Sequence, residues 1–504
     1  MRRAPRLLIL VACALAALVG LVALHDRLTR APADHSPILA SSALDRARAP
    51  GHAPAGDGHR PCTNELPERL LVVGWDSADW DLLLPLIDGG LMPNLAALMR
   101  EGSSGTLATF LPSISPALWT TVATGVDPER HGIHGFYAKK PRLARWWDRL
   151  TSFGEVGRRL FSSSDRRARA IWNLLSEQER PVLVVGYHNT FPVEDVEGVM
   201  VSNYLTQDSI GRMMEVGVAG DPELARNLVD PPELLDLVLG LQRDVDATLA
   251  DAARRFASVD DQGAAELVAR GQRLPAGGDQ RPWFLLHAYA FDEINARIAA
   301  ALYPRIEPDL ALVHFQSVDW AAHQFLVFDR PAEYAAMEWS EETRRRLEEL
   351  EPMYRDTVRS YYAYLDEWLG RLLALRGPGT AVIVVSDHGA GVGDDPDTPG
   401  NHDHGPPGMI LLAGPGIRPG ARIEGATLYD VMPTMAALLG LPLARDLPGE
   451  VLEQAFCPGV WNEEEHPAVA TYTPEPEFRP SAARPQELQE ELLKQLEALG
   501  YVDD

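Results

Sequence analysis

Leu70-Leu-Val-Val-Gly-Trp-Asp76 is a short, unbroken apolar run that ends in a carboxylate. A run of this length, apolar at odd and even positions alike, reads as a strand buried on both faces. Four further runs repeat the pattern: Pro181-Val-Leu-Val-Val-Gly186, Asp309-Leu-Ala-Leu-Val-His-Phe315, Ala381-Val-Ile-Val-Val385 and Met409-Ile-Leu-Leu-Ala413. Helical patterns lie between them. Buried parallel strands alternating with helices predict an α/β sandwich with helices on both faces of a mostly parallel sheet.

Two of the other runs also lead into acidic residues. Val313-His-Phe-Gln-Ser-Val-Asp319 and Val384-Val-Ser386-Asp387-His388-Gly389 follow the pattern set by Asp76. Ligands of open α/β sheets gather at the carboxyl ends of the strands, so these carboxylates are expected to converge. Asp319-Trp-Ala-Ala-His323 sets a carboxylate and an imidazole four residues apart, on one face of a helix. Asp387-His388 supplies a second oxygen-nitrogen pair. His404, in Asn401-His-Asp-His-Gly405, is a further candidate, with His402 as its competitor. Mixed Asp and His ligands suit zinc or another first-row divalent ion. A lone Asp at a strand end is more often a helix cap, and Ser-Asp-His-Gly by itself is a turn. Their joint occurrence in chain order favours a metal site.

A nucleophile candidate lies in Leu111-Pro-Ser-Ile-Ser-Pro-Ala-Leu-Trp-Thr-Thr-Val-Ala-Thr-Gly125. Ser115 before Pro116 reads as a helix cap with proline at the first helical position, and Gly125 closes the helix. A hydroxyl at the positive end of a helix and beside a cation is poised to attack as an alkoxide. Ser113 is the alternative; Thr120 and Thr121 are less well placed.

The remaining sequence bounds the setting. The 504 residues are 46% hydrophobic and 23% charged, an ordinary globular balance for one large domain with an insertion. The formal net charge of −26 argues against nucleic acid as a partner and leaves room for a small anion held by metals. Arg2, Arg3 and Arg6 precede an uncharged run from Leu7 to Leu24, so residues 1–24 read as an export signal or an uncleaved anchor that places the rest outside the cytoplasm. Residues 25–67 are rich in Ala, Pro, Gly and His, as in a flexible tether. A catalytic core is expected over 68–138 and 306–452, with 139–305 a largely helical insertion that belongs partly to the core. Its basic cluster, Arg158, Arg159, Arg166, Arg167 and Arg169, is a candidate receiver of an anionic substrate, although a solvated basic face is the commoner reading. Residues 453–504 form a tail, with an amphipathic helix expected over Gln486–Leu499. Of three cysteines, Cys62 and Cys457 stand near the two ends of the soluble part, as a disulfide or as two free thiols.

Taken together, these residues resemble the alkaline phosphatase superfamily in its type I phosphodiesterase and nucleotide pyrophosphatase branch. The resemblance is carried by Gly74-Trp-Asp76, Ser115-Pro-Ala-Leu-Trp-Thr-Thr-Val-Ala-Thr-Gly-Val-Asp-Pro128 with His131-Gly-Ile133, Asp319-x-x-x-His323, Ser386-Asp-His-Gly389, and His404 leading into Gly414-Pro-Gly-Ile417. Tyr429-Asp-Val-Met-Pro433 and Leu439-Gly-Leu-Pro442 extend it to about residue 452. It implies an alkaline-phosphatase-like α/β/α sandwich and two divalent ions, zinc by preference. Asp76, Ser115, Asp387 and His388 would hold one ion; Asp319, His323 and His404 would hold the other. It also implies hydrolysis of phosphate mono- or diesters through a phosphoseryl intermediate on Ser115.

Relatives in this branch usually carry threonine where Ser115 stands, which leaves the ester class open, and no arginine is evident for gripping a monoester. His188 and Asn189 are candidates to line the pocket. A sulfatase would need a C/S-x-P-x-R context, which Ser115-Pro-Ala-Leu-Trp does not offer. A phosphoglycerate mutase does not suit an exported chain. A phosphoethanolamine-type transferase and an inert surface-binding protein on the same fold are the remaining rivals.

Overall fold

The computed structural model describes residues 62–63, 65–139, 158–205, 227–272, 278–402 and 405–472. The N-terminal apolar run, the tether up to residue 61, the helix expected over Gln486–Leu499, and His404 lie outside them. The side chains of Arg158 and Arg159 are likewise not described.

Among the described residues nine strands form the central sheet: β1 (Arg69–Trp75), β2 (Gly102–Leu107), β3 (Val182–Val185), β4 (Gly198–Val201), β5 (Val229–Asp230), β6 (Leu310–Phe315), β7 (Thr380–Val385), β8 (Gly408–Ala413) and β9 (Arg422–Ile423). Their spatial order is β9-β2-β8-β7-β1-β6-β3-β4-β5. In the middle, β1 runs parallel to both neighbours, with Leu70 opposite Leu310 on β6 and Ala381 on β7. The five runs read from the sequence are all strands of this sheet. One expectation is overturned: β8 runs antiparallel to β7 and to β2. A strand covered on both faces is apolar along its length in either direction, so its pattern carries no information about polarity.

Side-chain alternation along β1 feeds two cores. Leu71, Val73 and Trp75 enter one, together with buried residues of α2 (Arg281–Ile306), α3 (Ser317–Asp329) and α4 (Thr357–Leu375). Leu70 and Val72 enter the other, with α1 (Ser115–Thr124) and α5 (Val431–Leu438). This is the α/β/α sandwich, because period-2 alternation sends successive side chains to opposite faces and each face is roofed by helices. Each fully buried Leu, Val or Phe contributes about 1.5–3 kcal/mol, so the two cores hold the strand ends rigidly.

The segment 139–305 supplies more than a lid. It contributes β3, β4 and β5 to one side of the sheet, and α2, most of whose residues are buried against β6 and α3. The strand β2 is not legible in the sequence because Gly-Ser-Ser-Gly-Thr-Leu has no apolar run, with Thr106 its one β-branched residue and Leu107 its one large apolar residue. It lies between β8 and β9, where a side chain at Gly102 would collide with the Leu412 carbonyl. Small residues are therefore a condition of the pairing.

Cys62 and Cys457 form a disulfide with Cα atoms 5.7 Å apart across 395 residues of chain. It ties the start of the described core to the segment beyond β9. Cys62→Ser is expected to cost about 2–4 kcal/mol of stability, read as a lower denaturation midpoint than wild type under non-reducing conditions and the same midpoint once both are reduced.

Among the described residues no single helix is long and apolar enough to cross a membrane.

Candidate active site

The strands β7, β1 and β6 are adjacent and parallel, so their carboxyl ends open on one edge of the sheet. Asp76 follows β1 directly. Asp387 and His388 follow β7 after Ser386. Asp319 sits in the first turn of α3, two residues into the helix that follows β6. The convergence expected from strand ends is thus produced by sheet order, between residues as far apart in sequence as Asp76 and Asp387.

Asp76 is the hub. The Ser115 hydroxyl donates to its Oδ1 at 3.3 Å, and the Trp119 indole N–H donates to its Oδ2 at 3.0 Å. Ser115 and Trp119 are four residues apart on α1 and so present the same face. Ile114 provides the cap position and Ser115 is the first helical residue, one step on from the expected register. No side chain caps this helix, and the Ser115 hydroxyl is directed at Asp76 rather than at the backbone. Gly125 closes α1 in the left-handed region, with φ 70°. Gly74 makes the approach of Trp119 feasible, since a Cβ there would lie 2.8 Å from the indole ring.

Ser113 is buried, and its Oγ has no hydrogen-bond partner. Thr120 Oγ1 donates to the Pro116 carbonyl, and Thr121 Oγ1 pairs with His131 Nε2. Ser115 is therefore the hydroxyl that the fold delivers to Asp76. Asn189 approaches the same helix: its Nδ2 donates to the Pro116 carbonyl and to Thr120 Oγ1, both at 3.1 Å.

Two groups of side chains gather around this hub. In the first, His388 Nε2 lies 3.5 Å from Asp76 Oδ1 and 3.4 Å from Asp387 Oδ2, and the Ser77 backbone N–H donates to Asp387 Oδ1 at 3.4 Å. In the second, Asp319 Oδ1 lies 3.0 Å from His402 Nε2 and 3.7 Å from His323 Nε2, and the two imidazole nitrogens are 2.5 Å apart. The rings of His388 and His402 stack at 4.2 Å between centroids and link the groups. His402, the competitor of His404, thus reaches Asp319 beside His323, while His404 lies outside the described residues.

Electrostatics mark the site as one built around positive charge. Burial by itself would raise the Asp76 carboxyl, but His188, His314 and His388 hold it well below the usual carboxylate range. Burial and the neighbouring charges of Asp76 and Asp319 push Asp387 well above that range. His323 and His388 are driven down to about 4, chiefly by burial, so both keep a lone pair available at neutral pH. Three buried carboxylates this close are costly without a cation.

The loop joining β6 to α3 is braced from behind by α2. Asp292 accepts the backbone N–H groups of Gln316 at 2.7 Å and Ser317 at 3.1 Å, and Asn295 donates to the His314 carbonyl at 3.1 Å. Burial pushes the Asp292 carboxyl up to about 7 against the pull of those donors. Asp292→Ala would strand both N–H groups, and a loss of about 2 kcal/mol or more in chemical denaturation is expected.

His314, Asp292 and Trp119 were missed as site residues. A histidine inside the otherwise apolar Leu310–Phe315 was the available signal for the first. No local signal marks Asp292. Of the basic cluster, Arg166 is paired with Glu194 at 2.6 Å and Arg169 with Glu177 at 2.8 Å, which commits both to structural ion pairs.

Fold and site define an α/β/α sandwich whose adjacent strand ends gather buried carboxylates and imidazoles into groups that could hold metal ions. More particularly, the chain belongs to the type I phosphodiesterase / nucleotide pyrophosphatase family, which it matches over residues 70–405. Among solved structures, the wild-type alkaline phosphatase PafA aligns with 79% of this chain and 100% of its own, at 10% identity and a TM-score of 0.51, a likeness of fold. A phosphonoacetate hydrolase from Sinorhizobium meliloti 1021 aligns over 68% of this chain and 61% of its own, at 18% identity and a TM-score of 0.36. A 2,3-bisphosphoglycerate-independent phosphoglycerate mutase from Cereibacter sphaeroides is 38% identical over 96 residues, 18% of this chain and 18% of that protein. The chain thus spans about a fifth of the length of the curated relatives it matches.

Proposed function

We propose that the protein cleaves phosphate mono- or diesters with Ser115 as nucleophile and two divalent ions, zinc by preference, held by the two side-chain groups around Asp76. The observation that carries this reading is the Ser115 hydroxyl directed onto Asp76 at the N-terminus of α1, beside Asp387 and His388. The residues fit such ions: Asp387 Oδ2 and His388 Nε2 are buried without a hydrogen-bond partner, and oxygen-nitrogen donor sets of this kind suit zinc. Asp76, Ser115, Asp387 and His388 would hold one ion. Asp319, His323 and His402 would hold the other, with His404 the alternative third ligand outside the described residues. Bound there, the ions would act as Lewis acids on the phosphoryl oxygens and screen their charge.

The chain's own contribution is positional. The positive end of α1 favours the ionised Ser115 hydroxyl, and Asp76 Oδ1 orients it. Attack forms the Oγ–P bond as the ester P–O bond breaks and the alcohol departs. Water then attacks the phosphoseryl group, breaking the Oγ–P bond and returning Ser115 to its starting state.

We also take the protein to be exported and anchored through residues 1–24. The Cys62–Cys457 disulfide supports an oxidising compartment, and the basic flank before Leu7 supports an outward orientation. No nucleic acid partner is expected at this net charge.

The test is turnover by the purified full-length protein of nitrophenyl phosphate, bis-nitrophenyl phosphate and nitrophenyl sulfate, with and without a chelator. Chelator-sensitive hydrolysis of either phosphate is expected, and the ratio of the two rates assigns the ester class. Faster turnover of the sulfate, or of no ester at all, would overturn the proposal.

A further inference from the structure

We infer that Asp76, His188 and His314 form a third cation site, on the side of Asp76 that faces away from Ser115. The carboxylate is divided. Its Oδ1 serves Ser115 and His388, while its Oδ2 accepts the Trp119 indole N–H at 3.0 Å and lies 3.5 Å from His188 Nε2 and 3.5 Å from His314 Nε2. The three ligand atoms lie within 4.8 Å of one another, and all three residues are buried. The two histidines arrive independently, His314 from within β6 and His188 from the loop after β3, and their rings meet edge to face at 4.9 Å.

A second observation points to a ligand. His188 Nε2 and both ring nitrogens of His314 have no hydrogen-bond partner, although His188 is 4% and His314 0% exposed. Buried imidazole nitrogens are paired as a rule, and two such atoms, His188 Nε2 and His314 Nε2, beside one carboxylate oxygen call for a shared partner. Aromatic neighbours wall the pair in: Trp119 stands edge to face against His314 at 4.6 Å, and Phe136 flanks His188. These rings offer no acceptor to the imidazoles. Two imidazole nitrogens and one carboxylate oxygen form the donor set of a first-row divalent ion such as zinc, and a poor one for magnesium or calcium. An ion there would share Asp76 with the proposed Ser115 centre through the other carboxylate oxygen. It would fix the rotation of that carboxylate, and with it the direction in which Ser115 is held.

The inference rests on the proposed function only through Asp76, and the experiment separates the two. Full-length protein is stripped with a chelator and titrated with Zn2+ by calorimetry, with bound metal counted by elemental analysis after removal of excess. Wild type is expected to bind three equivalents; His188→Gln and His314→Gln are each expected to bind two. Asp319→Asn serves as the control for the proposed pair and is also expected to lose one. A wild-type count of two with both histidine variants unchanged would overturn the third site and leave the proposed function standing. A count below two in wild type would overturn both. Loss of two or more equivalents from either histidine variant would place these residues in support of the Ser115 centre, and would likewise overturn a separate site. Co2+ in place of Zn2+ gives an independent reading, since visible absorption should fall by one site's share in each histidine variant.

Discussion

Ser115→Ala is expected to lower kcat on the better phosphate ester by at least about a thousand-fold, while the denaturation midpoint stays close to wild type. The expectation follows from what Ser115 touches. Its Oγ makes one described hydrogen bond, to Asp76 Oδ1 at 3.3 Å, and does not cap α1. Removing it therefore takes away the proposed attacking atom and little of the packing. Ser113→Ala is the matched control, because Ser113 is buried two residues earlier on the same approach to α1 and its Oγ has no partner. Near-wild-type turnover is expected from it. Retention of activity by Ser115→Ala together with loss in Ser113→Ala would move the nucleophile by two residues and refute the assignment. After rapid quenching of wild type with substrate, phosphate should appear on Ser115, and mass spectrometry would locate it.

Removal of divalent metal should abolish turnover and also destabilise the protein. Asp76, Asp319 and Asp387 are buried together, and Asp387 is pushed well above its ordinary range by burial and by the other two charges. An ion that binds the native state and not the unfolded chain adds about 4 kcal/mol when present at a thousand times its dissociation constant. Stripped protein should therefore denature at a lower temperature, and Zn2+ should restore both the midpoint and the activity. His402→Ala should need more Zn2+ for half-restoration than wild type, since His402 Nε2 lies 3.0 Å from Asp319 Oδ1. A midpoint indifferent to chelation would mean that the carboxylates are compensated in another way.

Reading along the chain was most informative where burial and turn chemistry were local. The runs ending in Asp76 and leading to Asp319 and Asp387 announced both the strands and the carboxylates beyond them, because a strand covered on both faces must be apolar and a ligand site forms where it stops. Ser115-Pro116 and Gly125 marked the two ends of α1 within one residue. Segment 139–305 was harder to read. The buried helix α2 carries Asp292 and Asn295, which hold the β6–α3 loop, yet nothing in their neighbourhood distinguishes them from ordinary helix polar residues.

By itself, then, the sequence determined which segments are buried, where they end, and which carboxylate, imidazole and hydroxyl groups stand at those ends. These are one-dimensional properties, carried by periodicity and by the residue types that turns and helix starts require. Tertiary structure alone decided the antiparallel course of β8, the place of the small-residue strand β2, the approach of His402 to Asp319, and the approach of His188 and His314 to Asp76 Oδ2. Each depends on which strands lie side by side. Apolar strands buried on both faces carry no polarity or partner in their pattern, so the order of the sheet, and every contact it brings across hundreds of residues, emerges only when the chain packs.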